Sequence, residues 1–93
     1  MEYWHVRWLH DDPDEPIVFY SEIGDDGYES RKVQIYRDGR RIRADEQHEG
    51  ADIALGEVPV GNISDVDAQP EFEAVLVARA LFESVWESAS WPP

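Results

Sequence analysis

Residues 30–44 read SRKVQIYRDGRRIRA, and the fold turns on how this stretch pairs with itself. Two runs of alternating side chains flank Asp38-Gly39, the dipeptide favoured in a two-residue type I′ hairpin turn, where both central residues need positive φ. With that turn, Arg37 opposes Arg40, Tyr36 opposes Arg41, Ile35 opposes Ile42, Gln34 opposes Arg43 and Val33 opposes Ala44. Val33, Ile35, Ile42 and Ala44 then share an apolar face, and Lys32, Gln34, Tyr36, Arg41 and Arg43 share the other.

Working outward, YWHVRWLH at 3–10 alternates. Trp4, Val6 and Trp8 point one way and Tyr3, His5 and Arg7 the other, as in a half-buried strand. A loop rich in turn formers, 10–16, leads to IVFYSEI at 17–23, which is apolar on both faces over its first four residues and reads as a central strand. Residues 45–62 are aperiodic, with Ile53, Leu55 and Val58 as candidate apolar anchors, and Ser64 to Asp67 can cap one helical turn before Pro70. The C-terminal part has two readings. EFEAVLV at 71–77 forms a last strand and a helix over 79–89 turns Phe82, Val85, Trp86 and Ala89 inward, or one long helix starts at Pro70. Strand then helix is preferred, because Arg79 interrupts the apolar stripe of the long helix.

The expected fold is therefore α+β, a four- to five-stranded mainly antiparallel sheet with a C-terminal helix on one face. That helix covers Trp4, Trp8, Val33, Ile35 and Ile42. The 93 residues suit a single domain over 1–93, with an ordered core over about 2–89 and a frayed tail, 90–93.

Composition narrows the chemistry. Cysteine is absent, which excludes disulfides, thiolate nucleophiles and Cys-based zinc sites. The N-terminal sequence lacks a basic region leading into an apolar one, and no apolar run reaches about 20 residues, so a cytoplasmic location without membrane insertion is expected. The formal charge is −13, from 21 acids and eight Lys and Arg. Six of those eight bases fall within 31–43 against one acid, giving +5 there, while the remainder carries −18. Such a balance repels nucleic acid and anionic lipid globally and favours a basic partner.

A family pattern runs through nearly the whole chain. It comprises Val6-x-Trp8 with His10, Asp14-Glu15-Pro16, Tyr20-Ser21-Glu22-Ile23, Tyr28-Glu29-x-Arg31-Lys32-Val33, Arg37-Asp38-Gly39, Leu55-Gly56-Glu57, Pro70-Glu71-Phe72-Glu73 and Phe82-Glu83-x-x-Trp86. In this it resembles a family of small bacterial domains of unknown function, some from toxin-immunity neighbourhoods. The resemblance implies a strand-rich N-terminal part and a short C-terminal helix, and brings no established activity.

Candidate sites follow from residue types. The acidic clusters 11–15 and 25–26 lie at opposite ends of one strand and cannot converge on a cation. Asp65-x-Asp67-x-Gln69 begins like a calcium loop but has Pro70 where Gly is needed and Leu76 where a bidentate Glu is needed. His5 and His10 point to opposite faces of a strand and His48 sits in a loop, so no metal and no cofactor are expected. There is no nucleophile elbow, phosphate loop or dinucleotide fingerprint. The binding candidates are Lys32, Tyr36, Arg37, Arg40, Arg41 and Arg43 of the hairpin and the tail residue Trp91. As an exposed cation–aromatic stripe the hairpin suits an acidic peptide, a phosphate or a stacked single strand. The plainer alternative is that acids in 45–52 fold back and neutralise it. The functional reading is a non-catalytic protein-binding module, concretely an immunity- or antitoxin-like inhibitor of a basic protein. The alternative is nucleic-acid or phosphate binding through 31–43, and a third is a small carboxylate-dependent hydrolase. A homodimer through the hairpin edge is compatible with all three.

Overall fold

The computed structural model describes residues 1–92. Five strands, β1 (Glu2–Trp8), β2 (Val18–Ile23), β3 (Glu29–Ile35), β4 (Arg41–Asp45) and β5 (Phe72–Leu76), form one antiparallel sheet in the order β4-β3-β2-β1-β5. A short helix, α1 (Ile63–Asp67), precedes β5, and α2 (Arg79–Ser88) follows it. The α+β architecture and the strand-then-helix reading of 71–89 match this arrangement.

The hairpin register differs from the expected one by a single residue. Tyr36 N donates to Arg40 O (2.9 Å) and Gly39 N to Tyr36 O (2.9 Å), so the loop has three residues, Arg37-Asp38-Gly39. Gly39 alone adopts positive φ, at 90°, as in a type I turn closed by a left-handed glycine. The Asp38 carboxylate accepts from Arg40 N (2.9 Å) and holds the turn. The β2–β3 loop repeats this construction. Gly24 N donates to Tyr28 O, Gly27 sits at φ 84° and Asp26 accepts from Tyr28 N. Both loops are x-Asp-Gly, and the chain uses the dipeptide in the same way twice. Nothing lies within 4 Å of a Cβ built on Gly39, so Gly39→Ala tests conformation alone. Denaturant melts should show a loss of about 1 kcal/mol.

The shifted register pairs Ile35 with Arg41, Val33 with Arg43, Gln34 with Ile42 and Lys32 with Ala44. A slip of one residue moves every β4 side chain to the other face. Val33 and Ile35 therefore share a face with Arg41 and Arg43, while Ile42, Ala44 and Tyr36 face the opposite way and close a cluster with Ile53. The slip is favourable because both faces of the sheet are covered. Helix α2 packs Phe82, Val85, Trp86 and Ala89 against Tyr3, Tyr20, Val33 and Ile35. The opposite face carries Trp4, Val6, Phe19, Ile23, Phe72 and Ala74, and Val60, Ile63 and Val66 of the 56–66 segment pack over it. Of the five residues expected beneath the helix, Val33 and Ile35 lie there. Trp4, Trp8 and Ile42 belong to the other face.

Ser90 is tied to the sheet. Ser90 bridges in parallel to Ile42, with Arg43 N donating to Ser90 O (2.9 Å) and Ser90 N to Arg41 O (3.1 Å), so residue 90 of the expected tail, 90–93, covers the outer edge of β4, while residue 93 lies outside the described residues. On the other edge, the Asp67 carboxylate accepts from the outward-pointing Ala74 N (2.9 Å). Among the described residues no helix is long and apolar enough to cross a membrane.

Candidate binding site: an apolar pocket beside an acidic groove

On the face opposite α2, the sheet and the 56–69 segment leave a pocket of about 450 Å³. Trp4, Val6, Phe19 and Ile23 make its floor, and Val58, Pro59, Val60, Val66 and Phe72 its walls. Three polar side chains converge at one end: Ser21, Glu29 and Lys32. A pocket of this size with a few placed polar groups is the usual form of a ligand site.

Glu29 reaches this face through a bulge. Glu22 pairs with Arg31 but Ile23 pairs with Glu29, leaving Ser30 as the extra residue. Without it, Glu29 would point with Arg31 towards α2, so the bulge re-aims the carboxylate. Glu29 Oε1 then accepts from Gly56 N (2.7 Å) and meets Lys32 Nζ (3.1 Å), while Oε2 accepts from Ser21 Oγ (3.0 Å). Lys32 Nζ also donates to Ala54 O (3.1 Å). Glu29 and Lys32 side chains are only 9% and 16% exposed, and together they pin the 54–57 segment onto the sheet. A charge pair this buried survives only with its remaining hydrogen bonds satisfied, as these are.

Beyond Glu29 and Gly56 lies a second cavity, about 540 Å³, lined by Asp26, Glu46, Glu49 and Glu57 together with Tyr28 and Leu55. Among the described residues, none of these four carboxylates has a cation within ion-pair distance. Glu49 does accept from Leu55 N (2.6 Å). The ridge between the two cavities is low, because Gly56 carries no side chain and a Cβ there would come within 3.2 Å of Glu29 Oε1.

The seven residues singled out from the sequence do not form one stripe. Lys32 is inside the apolar pocket's polar end. Tyr36 is buried beneath Arg40, whose guanidinium lies 4.2 Å from the ring centre. Arg37 Nη2 donates to His10 O (2.8 Å). Arg41 and Arg43, on the helix side, serve the C-terminal end of α2: Arg41 Nη1 donates to Ser88 Oγ (2.7 Å) and Arg43 Nη1 to Trp86 O (2.9 Å). Cations at that end oppose the partial negative charge of the last carbonyls. The Arg43 guanidinium lies between Trp86 (4.9 Å) and Trp91 (4.5 Å), which leaves its buried Nε without a hydrogen-bond partner. Trp91, 40% exposed, also stacks near His48 at 4.4 Å. Among the described residues no carboxylate pairs with Arg37, Arg40, Arg41 or Arg43, so segment 45–52 does not neutralise them.

The most strongly paired ions belong to a structural staple. Arg31 donates from Nε to Glu22 Oε1 (2.9 Å) and from Nη1 to Glu83 Oε1 (2.7 Å), tying β2 and β3 to α2. Its guanidinium also sits over Phe82 and Trp86. The Arg31 bonds, aided by Ser30, hold the Glu22 carboxyl down at about 2 and raise the arginine further. Glu83 is lowered for the same reason. Among the described residues no three His, Cys, Asp or Glu side chains gather as metal ligands would. Neither Glu29 nor Ser21 stood out in the sequence as a site residue. Their one signal was membership in the Tyr20-to-Ile23 and Tyr28-to-Val33 motifs.

Residues 2–91 match the model of a domain family of unknown function, DUF6881. The chain belongs to the DUF6881 family. The match spans all five strands, both helices and the two cavities, so both sites lie within the DUF6881 domain. No curated protein matches the chain. No solved structure matches it either.

Proposed function

We propose that this DUF6881 domain is a non-catalytic protein-binding module whose partner is basic, concretely an acidic inhibitor of the immunity or antitoxin type. The observation that carries the reading is the groove at Asp26, Glu46, Glu49 and Glu57. Among the described residues its carboxylates have no cation within ion-pair distance, and it adjoins the apolar pocket at Gly56. A groove lined by acids without internal counter-charges attracts a segment that carries Lys or Arg. The pocket's own acid, Glu29, is held by three donors and is poorly placed to act as an acid or base, which argues against hydrolysis. A cytoplasmic site of action fits the absence of cysteine.

The reading is tested by capture from native lysate at low salt, comparing the unaltered chain with Glu46→Lys/Glu49→Lys/Glu57→Lys. A stoichiometric basic protein should be retained by the first, released as salt rises, and lost with the second. Retention of the same protein by both would count against it.

A second reading keeps the arginines at the β3–β4 end as an anion site, because Arg37, Arg40 and Arg41 are exposed and have no carboxylate partner among the described residues. It requires that Arg37→Glu/Arg40→Glu abolish binding of an oligonucleotide while the fold persists.

A further inference from the structure

The apolar pocket and the acidic groove share Glu29 and Gly56 in their linings, so they adjoin and one extended segment can reach both. From this we infer that the partner is recognised through a short sequence in which a large apolar side chain enters the pocket while neighbouring Arg or Lys residues lie along the groove. The inference rests on the protein-binding reading and adds to it the chemistry of the recognised segment.

Four features point to that occupant. The floor at Trp4, Val6 and Phe19 is apolar, and a 450 Å³ space exceeds what one branched aliphatic or aromatic side chain needs. Glu29 and Lys32 neutralise each other at the pocket's inner end, so no net charge there asks for an ionic group. The unpaired carboxylates begin on the far side of the ridge, at Glu46, Glu49 and Glu57, which sets the cationic residues beside the apolar anchor. Val58, 69% exposed at the pocket rim, is a large apolar residue left in water, as expected of a surface that a partner covers.

The test uses a random peptide library displayed on phage, selected against the whole chain at low salt, with winning peptides then synthesised and titrated. Peptides combining Leu, Ile, Met, Phe or Trp with Arg or Lys one to three residues away should be enriched. Their affinity should fall about tenfold or more when Val60→Phe fills the pocket. Because Val60→Phe perturbs a packed segment, Val58→Ser at the exposed rim provides a second variant and should weaken the same peptides several-fold. Glu46→Lys/Glu57→Lys should remove both binding and its salt dependence. Enriched peptides that are basic but lack an apolar residue, or that ignore both valine substitutions, overturn the inference and leave the basic-partner reading standing. Selection without enrichment of Arg and Lys, or indifference to the charge reversal, overturns both.

Discussion

Arg31→Ala should lower the unfolding free energy by about 3 kcal/mol at neutral pH, because it strands a largely buried Glu22 without its counter-ion. Arg31→Lys should restore only part of this, since one ammonium cannot reproduce a guanidinium that bonds Glu22 and Glu83 at once while covering two rings. The pH dependence identifies the cause. Glu22 titrates at about 2 in the folded chain against an ordinary 4.5, so its folded value is depressed. Its contribution is complete above about pH 4.5 and disappears as pH falls through about 2, a loss on the order of 3 kcal/mol. Urea denaturation from pH 7 to pH 2 should therefore show the native and Arg31→Ala proteins converging as acid is added. A gap that stays constant with pH would assign the loss to packing on Phe82 and Trp86, and the ionic explanation would fail.

Phe82→Ala should be more damaging still, at about 3–5 kcal/mol. Phe82 is fully buried, 5.3 Å from the Tyr3 ring and 6.3 Å from the Trp86 ring, and lies under the Arg31 guanidinium. Removing it opens a cavity at the centre of the contact between α2 and the sheet and deprives Arg31 of the surface it rests on. Total stability for a chain of this size is about 5–15 kcal/mol, so the variant should approach unfolding at moderate temperature. Near-UV circular dichroism and thermal melts measure this directly. Leu81→Ala, one residue away and 45% exposed, is the control and should change stability by less than about 0.5 kcal/mol. Equal effects at the two positions would contradict the helix orientation.

The strands were legible in the sequence because alternation at 3–8, 30–36 and 41–44 is a direct image of the pleat, and Val-Leu-Val at 75–77 with Arg79 separated strand from helix. The size of the hairpin loop was not legible. Asp-Gly serves a two-residue turn with both φ positive and equally a three-residue turn with only glycine positive, and the choice decides which β4 residues are buried. Apolar residues occur on both faces of this sheet, so the expectation of one wet face led to the wrong register. The candidate site was hidden for a related reason. Whether Glu29 faces the pocket or α2 depends on the extra residue at Ser30, and no residue type marks that bulge. The aperiodic 46–60 segment, which builds the ridge and much of the groove, carries no pattern to read. The arginines of 37–43 stood out by composition, yet most spend their donors on His10, Ser88 and Trp86.

The strand order also fixes when the parts can assemble. β1 to β4 pair each with the next in sequence, so their contacts close as the chain lengthens. Two associations must wait: β5 inserting its partner edge beside β1, where Trp4 meets Leu76, and α2 settling on Val33. A meander of β1 to β4 without α2 would leave Tyr3, Tyr20, Val33 and Ile35 uncovered and the β4 edge without Ser90. Residues 79–90 thus turn a surface prone to association into a closed core.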